Sequence, residues 1–138
     1  MKNWFLTPVL LLAFVLTGCK DNSDPFVDPG KTEDPKWEVT VENDMSRSMT
    51  AVVKVSFTEE EGTLAAFIGD ECADIASFVD GLYLLYISPV NEEGDVVQLR
   101  FYSPALKRIF VAKDLFPYQN DTNLGTSAAP YTPEWTVE

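Results

Sequence analysis

Histidine does not occur among the 138 residues of the chain. Its absence excludes catalytic triads that use histidine, histidine-ligated metal sites and imidazole proton shuttles. Basic residues are also scarce: 10 lysines and arginines stand against 22 aspartates and glutamates, so the net charge is −12. Such a chain repels phosphate backbones and anionic lipid headgroups. Nucleic acid is therefore not expected among its partners.

Only two cysteines are present, Cys19 and Cys72. Cys72 follows Asp70 and Glu71 and precedes Asp74, and negatively charged neighbours disfavour a thiolate. Free cysteine is also among the most buried residue types. We therefore predict that Cys72 is a small buried hydrophobic residue, without a disulfide partner, rather than a reactive thiol.

Helical periodicity is missing after residue 19, where no window of about eleven residues shows an apolar stripe at i, i+3, i+4 and i+7. An apolar stretch covers residues 4–16. It is too short to cross a bilayer, because a spanning helix needs roughly 20 residues. Lys2 before it and Thr17-Gly18 after it complete the pattern of an export signal. The sequence therefore predicts a cleaved signal peptide over residues 1–18.

The end of this signal, Leu16-Thr17-Gly18-Cys19, resembles the lipobox of bacterial lipoproteins. The resemblance implies that the Cys19 thiol receives a diacylglyceryl group, that cleavage occurs just before Cys19, and that the new amine is acylated. Two or three acyl chains anchor a protein stably, whereas one holds it only marginally. The mature chain would keep nine basic and 22 acidic residues, which gives a net charge of −13.

The residues directly after the lipobox, 20–24 (KDNSD), resemble the acidic export signal of Bacteroidota-type surface lipoproteins. This resemblance implies a lipid-anchored protein in the outer membrane that is exposed at the cell surface. The alternative is a solvated start to a linker on a protein that faces the periplasm. Residues 19–36 contain three prolines and only two apolar residues beyond the cysteine, Phe26 and Val27, so we predict a flexible acidic tether there.

From residue 37 onward the pattern changes to alternation of apolar and polar residues, which is typical of half-buried strands. The run at 81–88 is almost wholly apolar or aromatic, which indicates a central strand covered on both faces. Turn-forming residues such as Gly69-Asp70-Glu71 separate the segments. The predicted strands are 37–42, 49–58, 63–68, 72–78, 81–88, 97–102, 109–111 and 134–138.

About eight short strands separated by glycine, proline, asparagine and aspartate predict an all-β fold. We assign residues 37–138 to one antiparallel two-sheet β-sandwich, with a small barrel as the alternative. A domain of 102 residues is large enough for one core and leaves little depth for a cleft.

Carboxylates are abundant, but they lie in predicted turns, at residues 59–61, 70–71, 92–95 and 121. A glycosidase needs two facing carboxyl groups roughly 5–10 Å apart in a cleft, and solvated turns do not provide this. We therefore predict no enzymatic activity. The loops at 91–95 and 120–123 are rich in oxygen ligands suited to calcium, but neither has EF-hand spacing. No cofactor is predicted, and calcium is the alternative.

Aromatic residues make up 12% of the chain, and those that face solvent are candidates for binding. Tyr102 and Phe110 fall on the polar phase of their predicted strands, and Tyr118, Tyr131 and Trp135 lie in the C-terminal third. Exposed rings stack on sugars or pack against a protein partner. We predict that Tyr118, Tyr131 and Trp135 bind the ligand; the alternative is that these rings cap the ends of the core.

One further stretch, Ala66-Phe67-Ile68-Gly69-Asp70-Glu71-Cys72, is similar to the motif AF(I/V)GDEC of a β-sandwich module that recurs in Bacteroidota-type surface and secreted proteins. The resemblance continues before it at 49–53 and after it at 82–87 and 99–102. Ala73-Asp74 stand where the module usually has arginine and glycine. The resemblance implies a fold and a location, but no reaction.

Taken together, these features predict a lipid-anchored cell-surface module that binds a glycan or a protein without catalysis. One alternative is a structural or assembly lipoprotein that contacts envelope proteins through a sheet edge. A glycan-processing enzyme is the weaker alternative.

Overall fold

The computed structural model describes residues 31–138, of which residues 32–138 form one compact unit. Every regular element in this part of the chain is a β-strand. In chain order the strands are β1 (Met49–Val53), β2 (Thr63–Ile68), β3 (Glu71–Ile75), β4 (Ser77–Val79), β5 (Leu82–Ile87), β6 (Val96–Ser103), β7 (Arg108–Ala112), β8 (Phe116–Pro117), β9 (Thr122–Leu124) and β10 (Trp135–Val137).

The strands form two sheets that share one core. One sheet has four strands in the order β9-β1-β5-β4, and the other has six, in the order β10-β7-β6-β2-β3 with β8 paired to β6. Neighbouring strands are antiparallel except β9, which runs parallel to β1. The prediction of an all-β two-sheet sandwich is confirmed, and the barrel alternative is wrong.

The core lies between the facing sides of the two sheets. In β1 the side chains of Met49, Ala51 and Val53 are buried and the two between them are half-buried, as the alternation predicted. Phe101 of β6 is fully buried, and its ring meets that of Tyr83 from the opposite sheet at a centroid distance of 5.6 Å. Burial of a large apolar side chain contributes about 1.5–3 kcal/mol, so such contacts hold the layers together.

The chain crosses from one sheet to the other at Ala76, because β3 belongs to the six-stranded sheet and β4 to the four-stranded one. The predicted strand at 72–78 is therefore interrupted at this residue. Pairing of β4 with β5 begins at Ser77, so β4 does not reach Tyr86. The Asp74 carboxylate accepts the Tyr86 N–H instead, at 2.7 Å. Burial raises the pKa of Asp74 despite this hydrogen bond.

Residues 32–41, the N-terminal strap, run along the outer face of the six-stranded sheet. The strap begins at Thr32, whose N–H donates to the carbonyl oxygen of Lys107 at 2.6 Å. At its middle, the Trp37 ring meets the Phe67 ring edge-on, with centroids 5.5 Å apart. The chain's own N-terminal segment thus covers the part of this outer face around Phe67 and Tyr102.

The strap forms no regular strand, so the prediction of a strand at 37–42 is wrong. Thr40 and Val41 both donate their N–H groups to the carbonyl oxygen of Cys72, at 2.9 and 3.3 Å. The Cys72 N–H bonds to the Thr40 hydroxyl, 2.8 Å away, and not to a backbone carbonyl. Because a side chain takes the place of the backbone acceptor, the strap does not continue the ladder beyond this point.

Two other predicted strands differ in extent or exposure. β1 ends at Val53, before the predicted end of the strand at 49–58, and the chain turns at residues 56–57. In β5, Leu84 and Tyr86 are exposed, so the prediction that the strand at 81–88 is covered on both faces is wrong. The four-stranded sheet therefore has one buried and one open face.

The structure covers the ring of Tyr102, which falls on the polar phase of its predicted strand. Tyr102 is buried beneath the strap, and its hydroxyl donates to the carbonyl oxygen of Thr32 at 3.0 Å. It is therefore a packing residue with a satisfied hydroxyl, not an exposed ring. Its partner in β7 is Ile109, which is half-buried.

No helix of residues 31–138 is long and apolar enough to span a membrane. The predicted signal peptide, Cys19 and the tether up to residue 30 lie outside the described residues and stay predictions. The compact unit begins at Thr32, ahead of the predicted domain start at residue 37.

Substitution of Gly125 by alanine tests the close approach of β1 to the C-terminal segment. The φ angle of Gly125 is +80°, and an added Cβ would lie 2.6 Å from the N atom of Tyr131 and 2.7 Å from the O atom of Val52. These two atoms bond to each other at 2.8 Å. We expect Gly125→Ala to lower the free energy of unfolding, measured in urea, by at least about 2 kcal/mol, because strain and a clash add.

The matched control is Gly69→Ala. The φ angle of Gly69 is +62°, and no atom lies within 4 Å of an added Cβ. This variant bears only the backbone cost of about 1–2 kcal/mol. Equal losses in the two variants would contradict the role given to the close approach.

Candidate functional site

The structure separates the three predicted ligand-binding residues. Tyr118, Tyr131 and Trp135 are all half-buried and pack against the core. The Tyr118 hydroxyl contacts the side-chain oxygen of Asn120 at 3.1 Å, and the Tyr131 ring meets Phe116 edge-on at 5.9 Å. These two tyrosines match the alternative of rings that cap the core.

Trp135 lies in an apolar depression that excludes both tyrosines, with a volume of about 550 Å³. We call it the aromatic groove. The ion pair of Lys113 and Glu134 lies on its rim, with Nζ and Oε1 3.7 Å apart and both side chains well exposed. An exposed pair of this kind adds little stability. Its apolar lining consists of Phe57, Leu106, Phe110, Trp135 and Val137, beside Pro133.

The rings of the groove are fixed by contact with each other and with the core. Phe57 lies 4.4 Å from Phe110 in a tilted arrangement, and its ring meets Phe101 and Trp135 edge-on at 5.8 and 6.2 Å. Trp135 also meets Phe101 at 6.2 Å. Such pairs contribute about 0.5–1.5 kcal/mol each beyond area burial. The groove floor is therefore preorganised by the core.

One polar atom in this groove is not satisfied. The Trp135 indole N–H is buried, and it makes no hydrogen bond with any described residue. An unpaired buried donor costs about 1–3 kcal/mol. The Trp135 side chain therefore gains from any rearrangement that brings an acceptor to its ring nitrogen.

The backbone beside the groove offers an open strand edge. β10 is the last strand of the six-stranded sheet, and no described strand pairs with its outer side. The carbonyl oxygen of Glu134 accepts the N–H of Lys113, directly after β7, at 2.8 Å, and the Glu138 N–H donates to the carbonyl oxygen of Ile109 in β7 at 2.9 Å. Because backbone groups alternate in direction along an antiparallel strand, those of Trp135 and Val137 point away from β7. Their side chains line the groove, so groove and edge belong to one site.

The loop at 91–95, a candidate for calcium, is held by its own hydrogen bonds. Asp95 is buried, and one carboxylate oxygen accepts the N–H groups of Val90 (2.7 Å) and Asn91 (2.9 Å). The other accepts the Asn91 side-chain amide at 2.6 Å. Burial acts to raise the pKa of Asp95, but these hydrogen bonds outweigh it, so the pKa lies below its ordinary value.

The second candidate loop, at 120–123, is engaged in a similar way. The Asn120 side-chain oxygen contacts the Tyr118 hydroxyl, and that of Asn123 accepts a hydrogen bond from Thr50. Within residues 31–138 no group of three or more acidic, cysteine or histidine side chains is placed to hold a metal ion. The geometry of both loops is that of hydrogen-bonded turns.

Cys72 is buried, and the prediction of a small packed thiol is confirmed. It lies in a second cluster with Ala65 and Phe67 on the outer face of the six-stranded sheet, beneath Trp37 of the strap. Burial raises the pKa of the thiol, and the negative charge of Asp74 adds to the effect. The thiol is therefore held in its neutral form.

The sequence did not identify most of the groove. Phe57 falls within the predicted strand at 49–58, and Leu106 lies in a turn without a binding signal. Val137 belongs to the predicted last strand, and Phe110 was noted only as an aromatic on a polar phase. Leu106 follows Pro104 and Ala105 in its turn, so no local contrast in polarity points to the groove.

No protein-family model, curated protein or solved structure matches the chain. A sandwich fold by itself does not specify a function. The chemistry of the aromatic groove and of the β10 edge is therefore what distinguishes the candidate functions.

Replacement of Asp95 by asparagine tests the loop through the pH dependence of stability. The lowered pKa means that the ionised carboxyl stabilises the fold above its unfolded pKa of about 4, and that this stability is lost as the pH falls through the folded pKa. We expect Asp95→Asn to lower the free energy of unfolding at pH 7 by about 1–3 kcal/mol. As the pH falls from 5, the free energy of unfolding of the variant should decrease less than that of the natural chain.

Asp70→Asn is the control, because Asp70 is an exposed turn residue. Urea denaturation at several pH values measures both variants. A pH profile of Asp95→Asn that coincides with that of the natural chain would show that the loop does not depend on the ionised carboxyl.

Proposed function

We propose that the protein is a non-catalytic binding module, lipid-anchored at the cell surface, that takes an extended protein segment at the aromatic groove. The observation that carries this proposal is that Trp135 and Val137 line an apolar groove while their backbone groups form an open strand edge. A segment that pairs with β10 gains main-chain hydrogen bonds, and its alternate side chains reach the groove. An envelope protein that this module contacts in an assembly would be a partner of this kind.

A glycan is the alternative ligand. Sugar rings stack on aromatic faces that are open to solvent, and the rim of the groove has the polar groups of Lys113, Thr132 and Glu134. The faces available here are limited, because the Phe57 ring is tilted against Phe110 at 4.4 Å. An open strand edge forms a regular ladder of main-chain hydrogen bonds only with another polypeptide, which favours the protein segment.

The negative net charge of the chain indicates which kinds of protein segment it attracts. With a net charge of −12, the protein attracts cationic segments and accelerates their association at low salt. Lys113 is paired with Glu134 on the rim. We therefore propose a segment in which apolar residues alternate with polar ones and lysine or arginine flanks them.

The groove offers little for catalysis. Glu134 is the carboxylate on its rim, and it is paired with Lys113. Glycoside hydrolysis needs two facing carboxyl groups, one of them with a raised pKa. The lining supports binding through apolar contact rather than bond cleavage.

A random peptide library displayed on phage, together with a glycan array, tests the proposal on the purified protein. We expect selected peptides with alternating apolar residues. Leu106→Asp should weaken their binding about tenfold or more, because it places a charge in the apolar groove. Val137→Pro should also weaken binding, because it removes an N–H that points outward from β10.

Leu115→Asp is the matched control, since Leu115 is similarly exposed and lies outside the groove. Its peptide affinity should equal that of the natural chain. If the selected peptides bind Leu106→Asp and Leu115→Asp with equal affinity, the binding site lies elsewhere on the protein. Glycan binding that is lost in Leu106→Asp, without peptide binding, would instead establish the sugar as the ligand.

The anchor is a separate part of the proposal and rests on the resemblance of Leu16-Thr17-Gly18-Cys19 to a lipobox. We expect mass spectrometry of the mature N-terminal peptide to find acyl chains on Cys19, and Cys19→Ser to release the protein from membranes. Protease added to intact cells should remove the protein. Protection in intact cells with cleavage after lysis would place it on the periplasmic side.

A further inference from the structure

Among the buried polar side-chain atoms of residues 31–138, the ring nitrogen of Trp135 is the one without a hydrogen-bond partner. Nearly all buried polar groups in folded proteins are paired, so an exception calls for an explanation. A phenylalanine at this position would fill much of the same space without burying a donor. Residues that break such a rule occur mainly at functional sites. The unpaired N–H therefore indicates a role for Trp135 beyond the packing of the core.

The side chains that contact the indole ring are apolar. The rings of Phe57 and Phe101 each lie at a centroid distance of 6.2 Å from it. The partner of Trp135 across the strand pair is Ala112 of β7, whose side chain is a methyl group. None of these three side chains can accept a hydrogen bond, so the acceptor for the indole N–H has to come from outside the core.

A ligand strand on the open edge of β10 brings its own side chains to the face on which the indole ring lies. Trp135 and Val137 point to the same face, and Phe110, the partner of Val137 in β7, lines the groove beside them. In an antiparallel pair, residues that oppose each other project to the same side, with Cβ atoms about 4.5–5.5 Å apart. The ligand residue opposite Trp135 therefore extends over the groove, next to the indole ring.

The charges around the groove indicate which kind of acceptor fits. The net charge of the chain is −12, and the Glu134 carboxylate lies on the rim. Lys113, the cation on the same rim, is already paired with Glu134. A ligand carboxylate is therefore repelled, and its burial against apolar side chains is costly. Amide and hydroxyl side chains accept a hydrogen bond without carrying a charge.

We propose that the site recognises a neutral hydrogen-bond acceptor on its ligand strand, an asparagine, glutamine, serine or threonine side chain opposite Trp135, to which the indole N–H donates. This inference rests on the proposed function and adds to it a residue that determines specificity. A ligand with an apolar residue at that position leaves the N–H buried and unpaired in the complex. It should therefore bind about tenfold or more weakly.

Formation of this bond requires a local movement, because the ring nitrogen is buried in the free protein. Leu106 is 45% exposed and Phe57 39%, and both belong to turns rather than strands. Side chains carried by turns and loops are more mobile than those fixed in a sheet. The groove can thus open at Leu106 and Phe57, and the environment of the indole N–H should change when the ligand binds.

A double-mutant cycle with a peptide selected for groove binding tests the inference. The acceptor peptide carries the selected amide or hydroxyl residue, and the apolar peptide has a residue of similar size in its place, such as leucine for asparagine. We expect the natural chain to bind the apolar peptide about tenfold more weakly. Trp135→Phe keeps an aromatic ring but lacks the N–H, so it should bind both peptides about equally. A purely structural role of Trp135 would weaken both peptides by the same factor.

Trp37→Phe is the matched control, because Trp37 lies in the strap against Phe67. This variant should keep the tenfold difference between the two peptides. Heteronuclear NMR of the indole N–H groups gives a second measurement on the natural chain. The Trp135 signal, assigned by comparison with Trp37→Phe and Trp135→Phe, should move downfield with the acceptor peptide and not with the apolar peptide.

Equal affinity of the natural chain for both peptides would overturn the inference, as would selected peptides without an amide or hydroxyl residue at any groove-facing position. In either case the proposed function still stands if Leu106→Asp weakens peptide binding. Peptide binding that Leu106→Asp does not weaken would overturn both. A Trp135 signal that is already hydrogen-bonded in the free protein would also overturn the inference, because the acceptor would then be present without the ligand.

Discussion

The packing of the two sheets and of the groove depends on the buried ring of Phe101. Its side chain is fully buried in β6, the central strand of the six-stranded sheet. It meets Tyr83 across the core, and on its other sides it meets Phe57 and Trp135. Gly62 must lack a side chain, because an added Cβ would lie 2.5 Å from the Phe101 ring. The same ring thus spaces the sheets and supports the groove floor.

Local patterns predicted those strands whose ends are marked by turn residues. Thr63–Ile68 has the predicted bounds because Gly62 and Gly69 bracket it, and Gly69 adopts the positive φ that the turn requires. The predicted strand at 37–42 does not form, because the Cys72 N–H donates to the Thr40 hydroxyl, where a strand would offer a backbone carbonyl. Periodicity does not reveal this substitution of one acceptor for another.

The site was harder to predict than the fold, because it depends on contacts between distant parts of the chain. Amino-acid type and position predict Trp135 as a binding residue, but its groove also needs Phe57 and Leu106 from segments far away in sequence. Tyr118 and Tyr131 have the same composition signal and pack against the core as Trp135 does, but neither lines the groove. Exposure of an aromatic ring is a tertiary property, and amino-acid type alone does not determine it.

The N-terminal strap has a mechanical consequence. A pull on the chain before Thr32 loads its backbone bond to Lys107 first, then the contact of Trp37 with Phe67, and last the bonds of Thr40 to Cys72. Contacts loaded one after another yield at lower force than strands sheared together. The ten residues of the strap can therefore peel away and add about 30 Å of extended chain ahead of Val41, while the two sheets keep their shape under tension.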